Sequence, residues 1–366
     1  MHKNPINMKY KNTILKKTML IFFSIGALAL SFTSCEEDGN NKNTPDVEGI
    51  YIVNEGIFGS GNGSITLLDP ETGEKIDNYF KYQNNRFPGD VVQDLAFSGQ
   101  KGFIVANNSK KVEVVDADDF TSENVIPDLS YPRQMLAISQ DYAYLTNGSS
   151  ADQSIGHVLK IDLNHYTIAD SIEVGKGPES LIQVNNAVYV SNSGGHSADN
   201  TVSVIDTETD QVVETISVGD IPTDLVKDQN DDVWVFCKGL GTWQDNGPTN
   251  SSLVKIDSDT YQTTSFDLGK ISSFGNYLLD VSPNKDQLYF VGVNGVYQMA
   301  VDAEQIPEEP VIGKIPYGLG VNPENGNIFC LTSAYQTKGF AFRYDQQHQL
   351  IDSVQVGYSP NAIVFE

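Results

Sequence analysis

Residues 200 to 219 open with Asn200-Thr201-Val202-Ser203-Val204-Ile205-Asp206-Thr207 and close with Thr215-Ile216-Ser217-Val218-Gly219. The aspartate ends a strand-like apolar run. The same arrangement returns at Leu68-Asp69, Val115-Asp116, Ile161-Asp162, Ile256-Asp257, Val301-Asp302 and Tyr344-Asp345, seven copies with Ile205-Asp206 included. Successive aspartates are 47, 46, 44, 51, 45 and 43 residues apart. A period in the forties with strand chemistry in every copy predicts an all-β, seven-bladed β-propeller, because one four-stranded blade cannot bury its own faces.

A second register agrees with the first. Gly-x-x-Pro recurs at Gly175 to Pro178, Gly219 to Pro222, Gly313 to Pro316 and Gly357 to Pro360, with looser copies ending at Pro88 and Pro132. The segment Gly269-Lys270-Ile271-Ser272 carries serine in the proline place, which completes seven positions. Glycine permits a tight turn and proline lacks a ladder donor, so the motif belongs between blades. Beyond Pro360 only Asn361 to Glu366 remain, enough for one strand. The segment Gly49 to Phe80 supplies Ile50 to Val53, Ser64 to Leu68 and a run into Tyr79-Phe80, but no Pro-led strand of its own. The C-terminal Ala362 to Phe365 is therefore expected innermost in the blade that the N-terminal segment builds, closing the ring by pairing of the two ends.

The repeats tile residues 49 to 366 as one domain. Ahead of them, residues 1 to 34 read as an export signal: Lys9, Lys11, Lys16 and Lys17 lead an apolar stretch from Met19 to Phe32. That stretch is shorter than the roughly 20 residues a spanning helix needs. The formal charge is -25, and the first 34 residues carry five lysines and no acids, so the remainder is near -30. Such a surface repels phosphate backbones and disfavours nucleic acid as a partner. Cys237 and Cys330 sit in apolar runs two blades apart and read as buried thiols without chemistry.

Residues Phe32-Thr33-Ser34-Cys35 resemble a bacterial lipobox, although Phe32 departs from the usual leucine, and Glu36-Glu37-Asp38 follows like a surface-export signal of the Bacteroidetes. The resemblance implies a lipidated Cys35, a flexible tether through residue 48, attachment to the membrane by the lipid alone, and an outer-membrane location exposed at the cell surface. Tyr51-Ile52-Val53-Asn54, Tyr144-Leu145-Thr146-Asn147 and Tyr189-Val190-Ser191-Asn192 resemble the YVTN repeat of a large propeller family. The first blade, Asn54-Glu55-Gly56-Ile57-Phe58-Gly59-Ser60-Gly61-Asn62-Gly63-Ser64 and then Asp69-Pro70-Glu71-Thr72-Gly73, is similar to a set of Bacteroidetes surface lipoprotein propellers that includes cobalamin-capturing members. That resemblance implies a corrinoid ligand, a TonB-dependent outer-membrane transporter as partner, and no required cofactor. The wider family also hosts lactonase-type enzymes and interaction scaffolds, so fold alone does not choose among them.

In a propeller the loop between second and third strands opens on the same rim as the link to the next blade. On that rim the sequence places Asn54, Phe58, Tyr131, Trp243, Gln244, Phe274, Tyr317 and Tyr335, a mixture of rigid aromatics and amides suited to a neutral macrocycle with amide arms. Trp243 stands on the longest insertion, Gly239 to Gly247, where a core role is poorly served. Residues after the link prolines are expected to face the central channel: Arg133, Glu179, Thr223, Tyr317 and Asn361, with Arg86 just before Pro88. Their mixed sign and type argues against a symmetric metal site. No His/Cys/Glu set has metal-ligand spacing, and neither a Gly-x-Ser-x-Gly elbow nor a phosphate loop is present, so an enzyme is not expected.

Overall fold

The computed structural model describes residues 49–148, 155–242, 244, 246–273, 275–334 and 336–365. The expectations for the export signal, Cys35 and the tether lie outside the described residues. Seven antiparallel sheets follow in chain order as the blades of a β-propeller. Their innermost strands are Pro360–Phe365, Val92–Ser98, Tyr131–Ala137, Pro178–Val184, Pro222–Lys227, Leu279–Val281 and Gly318–Val321. Three link prolines are the first residue of an inner strand, where no ladder donor is needed.

Closure is as the strand shortage predicts. The first blade orders Pro360–Phe365, Ile50–Asn54, Ser64–Leu68 and Lys75–Ile76 from the channel outward. Ile52 lies opposite Ile363 and Val53 opposite Ala362 in the antiparallel ladder. The second strands, apolar on both faces, form the core between blades; all of Ile50–Asn54 and Val233–Cys237 is buried. Trp234, Phe236, Leu253, Phe290 and Met299 join in one cluster, while Tyr51 stacks on Phe120 with centroids 5.4 Å apart in another. Cys237 and Cys330 are buried free thiols.

The seven-fold aspartate turns out to be a turn cap on the rim opposite the blade links. Its carboxylate accepts backbone N–H groups two and three residues on: Glu71 and Thr72 at Asp69, Asn164 and His165 at Asp162, Glu208 and Thr209 at Asp206, Asp259 and Thr260 at Asp257. An Asx turn of this kind reverses the chain from third to fourth strand. The Thr72 and Thr260 hydroxyls are the main reason Asp69 and Asp257 stay below the usual carboxylate range. Asp302 falls where the pattern lapses. Its blade has three strands among the described residues, and the fourth place is held by a single bridge from Val296 to Ile312.

One expected strand is a helix. The run into Tyr79-Phe80 forms Tyr79–Asn84, while the outer strand of the first blade is only Lys75–Ile76. Asn78 and Asn85 flank the helix in the left-handed region, at φ 54° and 58°. Tyr79 and Phe80 are adjacent and both buried, which a strand with one face in water does not allow. Asn84 fixes the helix end by donating to the carbonyls of Phe80 and Phe120, 2.9 Å each. Among the described residues no helix is long and apolar enough to cross a membrane.

Candidate ligand-binding site at the channel mouth

Pairing registers define which residues reach the channel. Pro178, Pro222 and Pro360 oppose the last residues of the second strands, Asn192, Cys237 and Asn54, and Pro132 opposes Asn147, one residue before the end of Tyr142–Gly148. The residues that follow are Arg133, Glu179, Thr223 and Asn361. In the second blade the equivalent pair is Val92 and Ala106, so Gln93 takes this place. Tyr277 and Tyr317 complete the ring from the sixth and seventh blades. The Tyr277 hydroxyl reaches the far wall, donating to the Gln93 carbonyl at 3.3 Å with Asp94 Oδ1 at 3.4 Å. Asn361 Nδ2 donates to the same carbonyl at 3.2 Å. Gln93, Arg133, Gln134, Glu179, Ser180, Thr223, Asn276 and Tyr277 leave a cavity of about 10 Å³. That is room for about one water molecule. A ligand larger than water does not fit in this cavity.

Charged groups of both signs floor the mouth. Arg133 donates from Nε to Glu179 Oε1 at 2.7 Å, and from Nη2 to the same oxygen. Glu55 accepts from the Tyr317 hydroxyl at 2.8 Å and from Gln93 Nε2 at 2.9 Å. Burial raises the Glu55 pKa despite those bonds and the field of Arg133. Lys238 follows the strand Val233–Cys237 just as Glu55 follows Ile50–Asn54, and it donates to Asn276 Oδ1 at 2.7 Å. Burial pushes its pKa down to about 8.

Beneath this floor a belt of side chains clips neighbouring inner strands. Asp94 accepts from Met135 N at 2.9 Å, and Asp280 from Val321 N at 2.7 Å. Asp224 Oδ2 accepts from Leu278 N and Leu279 N at 2.7 and 3.0 Å. Gln134 does the same with its amide oxygen, accepting from Leu181 N at 2.6 Å. Burial raises the pKa of Asp94 and Asp280 to about 6 and of Asp224 to about 7.

The residues expected on the rim divide. Arg133 and Tyr317 meet Glu55 and Glu179 at the mouth. Tyr131 lies over the Arg133 guanidinium at 5.7 Å and beside the His196 ring at 5.9 Å. Phe58 is 76 % exposed at the tip of a loop whose Gly59 and Gly61 N–H groups are held by Asp90. Gln244 ties its loop to the fourth blade, donating to Ser197 O at 3.1 Å while accepting from Gly241 N at 2.7 Å. Asn54 is fully buried and spent on structure: its amide donates to Ile52 O, Ser64 O and Thr66 Oγ1 and accepts from Gly357 N. It has nothing left to offer a ligand. Arg86 does not face the channel; it pairs with Glu113 and Ser122 and covers the Phe80 ring at 5.0 Å. The reason is a longer link after Pro88, with Val91 in the left-handed region, which passes the channel position to Gln93. Trp243, Phe274 and Tyr335 lie outside the described residues.

Sequence reasoning missed Gln93, Tyr277, Asn276 and Lys238. The position after the second strand, already marked by Glu55, was the available signal for Lys238. Among the described residues, no three His, Cys, Asp or Glu side chains gather in a metal-holding group.

Comparison with known proteins places the whole ring in one group. Residues 48–365 match the family described as a domain of unknown function, DUF5074. No curated protein matches the chain by sequence. Among solved structures, a quinonprotein alcohol dehydrogenase-like protein from Bacteroides thetaiotaomicron is similar at TM-score 0.63 and 13 % identity, covering 87 % of this chain and 78 % of that one. Hydrazine synthase of Kuenenia stuttgartiensis gives 0.60 at 16 % identity, over 88 % and 99 %. A 6-phosphogluconolactonase candidate from Bacteroides uniformis gives 0.59 at 12 % identity, over 87 % and 99 %. At these identities the likeness is one of fold.

Proposed function

Since this chain belongs to the DUF5074 family, whose description assigns no activity, we propose that it is a ligand-capture protein. In this reading it is anchored through a lipidated Cys35 at the cell surface and hands a corrinoid to a TonB-dependent outer-membrane transporter. The observation that carries the binding role is the charged floor of the mouth. Arg133 and Glu179 line a cavity of about 10 Å³, too small for more than water, and with Lys238 and Glu55 they present donors and acceptors to a ligand at the mouth. Loops bearing Phe58 and Tyr131 rise at the same rim, and the insertion with Trp243 belongs to it by sequence. Amide arms of a corrinoid match a floor that both donates and accepts, while the ring faces aromatic side chains.

Calorimetric titration with cyanocobalamin tests the ligand. Binding at micromolar concentration or tighter is expected, and Trp243→Ala should weaken it by about tenfold or more, the loss typical of an aromatic at a hot spot. If the wild-type protein binds neither cyanocobalamin nor its base-lacking precursor cobinamide at micromolar concentration, the corrinoid assignment is wrong.

A further inference from the structure

Four charged side chains meet at the mouth, and three of them take part in two or more side-chain hydrogen bonds among the described residues. Arg133 and Glu179 form an ion pair, and Glu55 takes hydrogen bonds from Tyr317 and Gln93. Lys238 is the exception. Among the described residues its ammonium has one acceptor, the neutral Asn276 Oδ1, and no carboxylate within ion-pair reach. Its backbone is fixed on both sides, since Lys238 N–H donates to Ile221 O at 3.0 Å and the Ser251 hydroxyl donates to Lys238 O at 2.6 Å. Those bonds hold the residue at the strand end above the ring.

From this geometry we infer that Lys238 is an oxyanion subsite, and that the ligand of the mouth carries a phosphate-type or carboxylate group that the ammonium receives. An ammonium has three donors and no acceptor, and one neutral partner among the described residues leaves two donors for an incoming group. Withdrawal from water makes a charged partner worth more there than on the surface. Burial is the main cause of the lowered pKa of Lys238; it outweighs the fields of Glu179, Glu55 and Asp224, and the charge of Arg133 adds to it. Arg133, paired with Glu179, lines the same floor and keeps Nη1 free to donate to the incoming group among the described residues. The inference rests on the mouth being a binding site but not on the ligand being a corrinoid. Within the corrinoid reading it assigns the phosphodiester of cobalamin to Lys238, a group that cobinamide lacks.

The experiment titrates inorganic phosphate and acetate into the full chain, following heat and the shift in melting temperature. Wild type should bind phosphate in the millimolar range. Lys238→Met, which keeps the length and removes the charge, should weaken it at least about tenfold, Lys238→Arg should retain most of it, and Lys285→Met on the opposite rim should match wild type. Equal phosphate binding by wild type and Lys238→Met, or no Lys238-dependent binding of either anion up to tens of millimolar, overturns the subsite. Acetate alone binding in a Lys238-dependent way assigns the subsite to carboxylates. A parallel titration separates the readings: in the cobalamin case Lys238→Met weakens cyanocobalamin and leaves cobinamide unchanged. If neither corrinoid binds, the proposed ligand fails while the phosphate and acetate results still decide the subsite.

Discussion

Replacing Asp224 by alanine removes the acceptor for three backbone N–H groups at once. Leu278 and Leu279 donate to its Oδ2 and Leu225 to its Oδ1, and all three residues are buried. An orphaned buried donor costs about 1–3 kcal/mol, so the loss should be roughly 3–6 kcal/mol, a large part of the roughly 5–15 kcal/mol that holds a typical domain together. The carboxylate also has a cost, and it depends on pH. Burial raises the folded pKa to about 7 from the ordinary aspartate value of 3.8. Between these values the folded state keeps a proton that the unfolded state has released. The contribution of Asp224 to stability is therefore fullest at acid pH and declines as pH rises through about 7, by up to about 4 kcal/mol at about 1.4 kcal/mol per pH unit. Asp224→Ala should show its whole deficit only below about pH 4, and its deficit at pH 5 should exceed that at pH 8 by about 3 kcal/mol, the two pH units left between pH 5 and the folded pKa. Asp224→Asn keeps a carbonyl for Leu278 and Leu279, cannot ionise, and should equal or exceed wild type at pH 8. Urea unfolding at both pH values, followed by tryptophan fluorescence, reads these differences, with amide exchange of Leu278 and Leu279 as a local check. A deficit that is the same at pH 5 and pH 8, or an alanine variant as stable as wild type, would refute the reasoning.

Two further outcomes are expected. Deleting Asn361 to Glu366 exposes the inner edge of Ile50–Asn54 and removes the buried Asn361 and Ala362; the truncated protein should lose its cooperative thermal transition and aggregate, and a native melting curve would count against ring closure. Cys35→Ala should free the protein from the membrane fraction or leave it as precursor, because the thiol is where the proposed acyl chain would attach, and whole-cell protease should digest the wild type; protection of the wild type would argue against surface exposure.

The parts of the fold that were legible are those enforced by neighbours in sequence. An Asx turn needs its acceptor two or three residues from its donors, so the seven-fold aspartate could be seen in the chain before its role was known. A proline opening an inner strand is likewise a local constraint. Ring closure followed from counting strands. What escaped was set by distant partners. Nothing beside Asp224 announces Leu278, and nothing beside Gln93 announces Tyr277 across the channel. Asn54 was chosen as a ligand contact because its position on the rim was readable, whereas the four groups that use up its amide were not. Arg86 was misplaced by assuming that every link has the same length, an assumption that fails after Pro88.

The pairing of the two ends also sets the order in which the molecule can be made. Ile52 and Ile363 are more than three hundred residues apart in the chain, yet opposite each other in the first blade. Bringing together the ends of so long a loop costs about 5 kcal/mol in chain entropy, against about 2 kcal/mol for a ten-residue hairpin. Hairpins within blades can therefore form early, but the first blade waits for the last residues to be synthesised. Until then Ile50–Asn54 presents an unpaired apolar edge, the kind of surface that invites wrong partners. Under the proposed export this delay would be useful, since a ring that cannot close stays threadable until the whole polypeptide is across. The time at which the Ile52 and Val53 amides become protected during refolding, relative to those of Val188 and Val190 in the fourth blade, reports that order directly.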